Sequence, residues 1–141
     1  MFVKNVVGVL VAMAIITTLA LSWGRPSNHP QPKYKPLPTI SKAMPPEEVG
    51  EIAFQKMGCA TCHTIDGSTR IGPTFLHDFG SRITLDTGEM IVVDDAYLRE
   101  SIEQPRAKSR PGYPPAMPAE YATLLTDLEK EGLVAYIKTL R

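Results

Sequence analysis

Residues 56–67 read KMGCATCHTIDG and contain both cysteines of the 141-residue chain. Cys59 and Cys62 are separated by two residues, and His63 directly follows the second cysteine. At this spacing two thiols fit on one turn of a short helix, and the imidazole that follows is a common metal ligand. The stretch therefore brings two thiols and one metal-binding group together within five residues.

The pattern Cys59-x-x-Cys62-His63 is typical of covalent attachment of a c-type haem. Each thiol can form a thioether with one haem vinyl group, and His63 can then bind the iron. A structural zinc site needs four ligands, and the chain has no third cysteine to supply one. A thioredoxin-like dithiol needs a βαβ setting that is not apparent here. A disulfide across so short a spacing would be strained and leaves His63 unexplained. The motif predicts one covalently bound haem c.

Four stretches carry a resemblance to a known family: GCATCHTIDGSTRIGPTF, VDDAYLRESIEQP, PGYPPAMP and LVAYIKTLR. Through them residues 47–141 resemble a class I cytochrome c domain from end to end, and look most like the domain fused to subunit II of some bacterial haem–copper oxidases. Those subunits carry a dicopper domain ahead of the cytochrome, whereas this chain has no cysteine and histidine cluster for one. The resemblance implies an all-α class I cytochrome c fold and transfer of single electrons.

A methionine opposite the histidine is the sixth iron ligand expected of an electron-transfer haem, and it raises the reduction potential. Met44 lies in a proline-rich stretch, Met57 is only two residues before the first cysteine, and Met90 falls in a predicted strand. Met117 lies in a loop that prolines stiffen and that offers no core to fill. We therefore expect His63 and Met117 to be the metal ligands, as the resemblance also implies.

Four further residues are expected at the haem. In the family a proline after the motif accepts a hydrogen bond from the ligand histidine through its carbonyl, and here this is Pro73. Gly72 is expected to form the tight turn beside the haem edge. Arg70 and Tyr113 are candidates for contact with a haem propionate, although a solvated surface role is an equally open interpretation of each. His77 is expected to be half-buried and outside the site.

The N-terminal region is predicted to hold the protein at a membrane. Residues 5–23 contain no charged side chain, and their number is close to the ~20 residues that cross a bilayer as a helix. A cleaved signal peptide is the alternative, but its apolar core is usually shorter, at about 7–15 residues. Residues 24–46 include seven prolines and are expected to form a stiff spacer or a disordered tether. The predicted organisation is an anchor at 1–23, a linker at 24–46 and a haem domain at 47–141.

Within the domain, hydrophobic periodicity and caps predict three helices at 46–57, 95–104 and 127–140. The stretch SRITLDTGEMIVVDD alternates around an Asp-Thr-Gly turn and predicts a small β-hairpin. The resemblance implies that the first and last helices cross closely, with Gly50 or Phe54 against Tyr136. The predicted fold is thus all-α with a small hairpin insertion, preceded by one transmembrane helix.

Charge limits the possible partners. Residues 1–46 carry five basic and no acidic residues, whereas residues 47–141 carry ten basic and fifteen acidic ones, leaving a net charge of about −5. An acidic domain is poorly suited to bind nucleic acid. A basic rim at Arg106, Lys108 and Arg110 is one interpretation of the loop before Met117, and a solvated loop is the other.

Because c-type haem is attached outside the bacterial cytoplasmic membrane, the domain is expected on the periplasmic side of a single-pass anchor. The expected protein is an electron carrier rather than an enzyme, with the membrane and other redox subunits as partners and no small-molecule substrate. It is expected to serve as a subunit of a respiratory complex of the oxidase or alternative complex III type. Alternatives are an independent tethered shuttle, or a haem-based sensor or peroxidase with an open iron position.

Overall fold

The computed structural model describes residues 13–17 and 36–141. Residues 13–17 are helical, and the Thr17 hydroxyl donates to the carbonyl of Met13 at 3.0 Å. The rest of the predicted anchor and most of the predicted linker lie outside the described residues. No helix in the described part of the chain is both long and apolar enough to cross a membrane.

The domain is rich in helix and carries one small antiparallel sheet. Its helices are α1 (Pro46–Lys56), α2 (Asp95–Glu103), α3 (Tyr121–Leu124) and α4 (Asp127–Thr139), with one 3-10 turn at Cys59–Thr61. Strands β1 (Arg82–Thr84) and β2 (Met90–Val92) pair with Ile83 opposite Ile91. The three predicted helices and the hairpin are confirmed. Helix α3 was not predicted, and the helical turn expected at the cysteines is a 3-10 turn.

Side-chain caps explain where two of the helices begin. Asp94 precedes α2, and its carboxylate accepts the amide N–H of Tyr97 at 2.8 Å. Thr126 precedes α4 and forms a capping box with Glu129, in which each side chain satisfies a backbone N–H near the helix start. Lys56 reaches Glu129 from the end of α1 at 2.7 Å. The start of α4 is therefore fixed to the end of the helix that precedes the cysteine turn.

Helices α1 and α4 cross with their backbones in near contact. A Cβ atom placed on Gly50 would lie 1.9 Å from the carbonyl oxygen of Gly132 and 2.6 Å from Cβ of Tyr136. The rings of Phe54 and Tyr136 pack beside the crossing, with centroids 5.6 Å apart. The expected contact of Gly50 and Phe54 with Tyr136 is therefore present, and Gly132 is a second glycine that the sequence reasoning missed.

The core consists of two clusters of buried apolar side chains. One packs the hairpin against α2 and α4 and contains Leu85, Val93, Tyr97, Leu98, Val134 and Ile137. The other contains Ala53, Phe54, Ile102, Leu125 and Leu133, and the half-buried side chains of Cys59 and Met117 pack against it. The second cluster therefore contacts both the cysteine turn and the loop that carries Met117.

His77 differs from its expected position. The side chain is exposed rather than half-buried, and the backbone has a positive φ of 58°, which is uncommon for a residue other than glycine. Its amide N–H donates to the carbonyl of Leu140 at 2.9 Å. The segment turns sharply here to meet the C-terminal end of the chain, and this turn directs the imidazole away from the core.

Gly50→Ala is expected to lower the free energy of unfolding by about 1–3 kcal/mol or more, because the added methyl group would overlap the backbone of α4. In an unobstructed helix the same change stabilises by about 1 kcal/mol, so the sign of the effect tests the crossing. Chemical denaturation of the full chain measures it. Glu51→Ala, the exposed neighbour on α1, is the control and should change stability little. A stabilised Gly50→Ala variant would contradict the close crossing.

Candidate functional site

A cavity of about 440 Å³ lies between the cysteine turn and the loop at 105–118. Its size is within the range of about 300–1,000 Å³ that is usual for cofactor sites. The predicted site residues that line it are Cys59, Cys62, His63, Gly72, Pro73, Tyr113 and Met117. Apolar side chains of the second core cluster, including Phe54, Ile102 and Leu133, form much of the remaining wall. The cavity is thus continuous with the core of the domain.

The cysteine turn follows α1 directly. Gly58 adopts a positive φ of 67°, which ends the helical run and begins the 3-10 turn. The amide N–H groups of Cys62 and His63 both donate to the carbonyl of Cys59, at 3.1 and 2.9 Å. Both thiols are free and half-buried. The motif therefore forms a single tight turn in which the two thiols and the imidazole face the same cavity.

His63 is held in one orientation by the segment that follows it. Its Nδ1 atom is 2.8 Å from the carbonyl oxygen of Pro73, which can only accept, so Nδ1 carries the proton and Nε2 keeps its lone pair. Burial lowers the pKa of His63 below its ordinary value, which keeps the ring neutral at neutral pH. A Cβ on Gly72 would lie 2.5 Å from the ring, so only glycine fits at that position.

The environment of Cys59 is unlike that of a redox-active dithiol. Burial raises the pKa of its thiol to about 11. Redox-active Cys-x-x-Cys pairs instead have a depressed thiol pKa that makes the thiolate available. In residues 13–17 and 36–141, no three His, Cys, Asp or Glu side chains gather as a metal-binding group. The zinc and dithiol interpretations of the motif therefore gain no support from the geometry.

Met117 is half-buried and packs against the second core cluster. Its loop turns through Gly112, which has a φ of 84°, and the amide N–H of Tyr113 donates to the carbonyl of Arg110 at 3.1 Å. Among the other candidate methionines, Met57 also lines the cavity but is adjacent to the cysteine turn, and Met90 is 71% exposed on β2. Met117 is the methionine that reaches the cavity from the loop at 105–118.

Arg70 does not line the cavity. Its exposed guanidinium donates to the carbonyl of Ala60 at 2.6 Å and supports the cysteine turn from outside. A contact between Arg70 and a haem propionate stays a prediction, as does the same role for Tyr113, which is half-buried in the cavity wall. In this structure Arg70 stabilises the cysteine turn through its hydrogen bond to the carbonyl of Ala60.

Arg110 and Asp78 form a polar part of the cavity wall that the sequence reasoning missed. The guanidinium donates to both oxygens of the Asp78 carboxylate, at 2.7 and 2.8 Å, and its Nε donates to the hydroxyl of Tyr97 at 3.1 Å. Lys108 is paired with Glu100. The basic-rim interpretation gains no support from the structure, because two of its three cations are paired with acidic side chains.

The residues present fit a c-type haem. One largely apolar cavity is lined by two thiols at attachment spacing and by a neutral imidazole that is fixed through Nδ1. A glycine leaves space for the imidazole ring, and a thioether sulfur reaches the same cavity. A structural zinc site needs four protein ligands, whereas the two thiols and one imidazole supply at most three. Haem bound here supplies an iron centre that changes by one electron between its ferric and ferrous states.

The cytochrome c family model matches residues 47–141, the whole of the helical domain. No curated protein matches the chain. The match covers most of the sequence and spans the same residues as the resemblance described above. The chain belongs to the cytochrome c family: it carries a covalently bound c-type haem and is a haem-based electron carrier.

Proposed function

We propose that this protein is a membrane-anchored, single-haem cytochrome c whose iron is bound by His63 and Met117, and that it carries electrons within a respiratory complex. The observation that carries the proposal is the meeting of these two side chains on one cavity with the attachment cysteines. With both axial positions filled by protein, the iron has no open position for a substrate. This arrangement favours electron transfer over catalysis or gas sensing.

Each side of the cavity has a distinct task in this proposal. The carbonyl of Pro73 fixes the tautomer and direction of His63 and increases its basicity as a ligand. The loop at 105–118 delivers Met117, whose thioether favours the ferrous state and raises the reduction potential. The apolar cluster around Phe54 and Leu133 limits access of water to the site. A fixed and dry environment changes little between the two redox states, which suits rapid electron transfer.

The proposed membrane location rests on the sequence. Residues 5–23 contain no charge and have the length of a bilayer-spanning helix. Because c-type haem is attached outside the bacterial cytoplasmic membrane, the N-terminus would lie in the cytoplasm and the haem domain on the periplasmic side. The proline-rich residues 24–46 would then separate the domain from the bilayer.

The proposed partners are other redox protein subunits. The predicted anchor and the resemblance to an oxidase-associated domain support membership of a terminal oxidase or an alternative complex III. The second candidate is an independent tethered shuttle that moves between complexes, for which the long proline-rich linker is the supporting feature. Neither role involves nucleic acid or a small-molecule substrate, and the acidic domain is consistent with that.

Met117→Ala is expected to open the sixth iron position. Without the thioether, the reduction potential should fall by on the order of 0.1 V or more, since axial ligation is a main determinant of haem potential. The ferrous protein should also bind carbon monoxide, which the wild type should exclude. A redox titration monitored by optical spectroscopy measures the potential, and the optical spectrum of the ferrous protein under carbon monoxide measures its binding.

Met90→Ala is the matched control, because Met90 is 71% exposed on β2 and does not line the cavity. Its potential and its exclusion of carbon monoxide should equal those of the wild type. Equal behaviour of the two variants would show that Met117 is not the ligand. A wild-type protein that already binds carbon monoxide would instead support a sensor or peroxidase.

Membership of a complex is tested on native membranes solubilised in mild detergent. After native electrophoresis and haem staining, the chain is located by mass spectrometry. We expect it in a large band with other subunits, whose identities name the donor and acceptor. Migration alone, at the size of a small protein in a detergent micelle, would contradict the subunit role and favour the tethered shuttle.

A further inference from the structure

The guanidinium of Arg110 is held on two sides. It forms a bidentate pair with Asp78, the geometry that gives ion pairs both strength and direction. The hydroxyl of Tyr97 accepts from its Nε at 3.1 Å, and the Tyr97 ring lies 5.4 Å from the guanidinium carbon. The hydroxyl and carboxylate hydrogen bonds raise the pKa of Arg110 despite its burial, so the group stays charged.

This pair joins the two walls of the cavity. Asp78 lies a few residues after Pro73, whose carbonyl fixes His63. The same segment is joined to the residue after His63, because the amide N–H of Phe75 donates to the carbonyl of Thr64 at 2.8 Å. Arg110 lies within the loop at 105–118, about seven residues before Met117. The ion pair is therefore a direct connection between the histidine side and the methionine side of the site.

Burial distinguishes this ion pair from the others in the described residues. The side chains of Arg110 and Asp78 are 13% and 9% exposed, whereas every other pair has at least one side chain that is 33% or more exposed. A buried pair gains little net stability, because desolvation of both charges offsets their attraction. A bidentate pair also adds geometric specificity, because two parallel hydrogen bonds fix the direction of the contact.

We propose that Asp78 and Arg110 are positioning residues that hold the Met117 loop at the distance at which the thioether binds the iron. The inference rests on the proposed function, because it requires Met117 to be the ligand. Breaking the ion pair leaves the Met117 side chain unchanged, but it allows the loop to move away from the iron more often. A competing ligand then gains apparent affinity in proportion to the fraction of molecules in which the iron position is free.

Imidazole added to the ferric full-length holoprotein is the probe. It competes with Met117 for the iron, and its binding changes the optical spectrum. We compare Asp78→Asn, which keeps the shape of the side chain, with Arg110→Lys, which keeps the charge but loses the bidentate geometry. Imidazole should bind both variants at least about tenfold more tightly than the wild type, and their reduction potentials should fall.

Glu129→Gln is the matched control. Glu129 is also a buried, ion-paired carboxylate, with 4% of its side chain exposed, but it does not line the cavity. Glutamine can still complete the capping box with Thr126, so the helix start is preserved. This variant loses a buried charge and some stability, and its imidazole affinity should stay within about twofold of the wild type.

Three results overturn the inference. If Asp78→Asn and Arg110→Lys bind imidazole with wild-type affinity, the pair has only a structural role. If Glu129→Gln gains as much imidazole affinity as these two variants, the cause is general loosening of the fold. If Asp78→Asn does not retain its fold, the result for Arg110→Lys decides alone. Equal behaviour of Met117→Ala and the wild type would remove the methionine ligand itself, which is the separate failure of the proposed function.

Discussion

The close approach of α1 and α4 at Gly50 and Gly132 is the constraint on which the rest of the structure depends. Because the two backbones almost touch, α1 ends at a fixed place and the cysteine turn begins directly after it. Helix α4 supplies Leu133 to the cavity wall from the same crossing. A wider crossing would separate the cysteine turn from the apolar surface on which the cofactor must lie.

The cofactor site and the core of this domain are the same region. The second core cluster contacts both Cys59 and Met117, so the haem would complete a core that protein side chains only partly fill. A domain of this size buries a modest share of its surface, and its stability without the haem would be marginal. Covalent attachment therefore serves folding as well as function, since the prosthetic group cannot leave the core that it completes.

Local chemistry made much of this protein predictable. The Cys59 to His63 motif, the hairpin turn and the capped starts of the helices depend on residues within a few positions of one another, and the predicted helices and hairpin are present. Met117 was identified through its proline-rich loop, and it reaches the cavity. Short-range hydrogen bonding and backbone preference are determined by nearby residues, and a single sequence contains that information.

Most contacts between distant residues could not be predicted from local patterns, and the contact of Gly50 and Phe54 with Tyr136 was expected only through the family resemblance. Arg110 was interpreted as a surface cation because nothing near it in sequence indicates Asp78, 32 positions away. Arg70 was a candidate for contact with a haem propionate or for a solvated surface role, and its hydrogen bond to the carbonyl of Ala60, ten residues earlier, was not foreseen. The glycine crossing required Gly132 as well as Gly50, and its importance appears only when the two helices are brought together.

X-ray absorption spectroscopy at the iron edge tests the central claim, ligation by His63 and Met117, most directly. The measurement on the wild-type ferric and ferrous protein counts sulfur and nitrogen neighbours of the iron without any substitution. One sulfur and five nitrogens, four from the porphyrin and one from His63, are expected in both redox states. An iron with no sulfur neighbour would contradict the account, because Met117 would then not be a ligand.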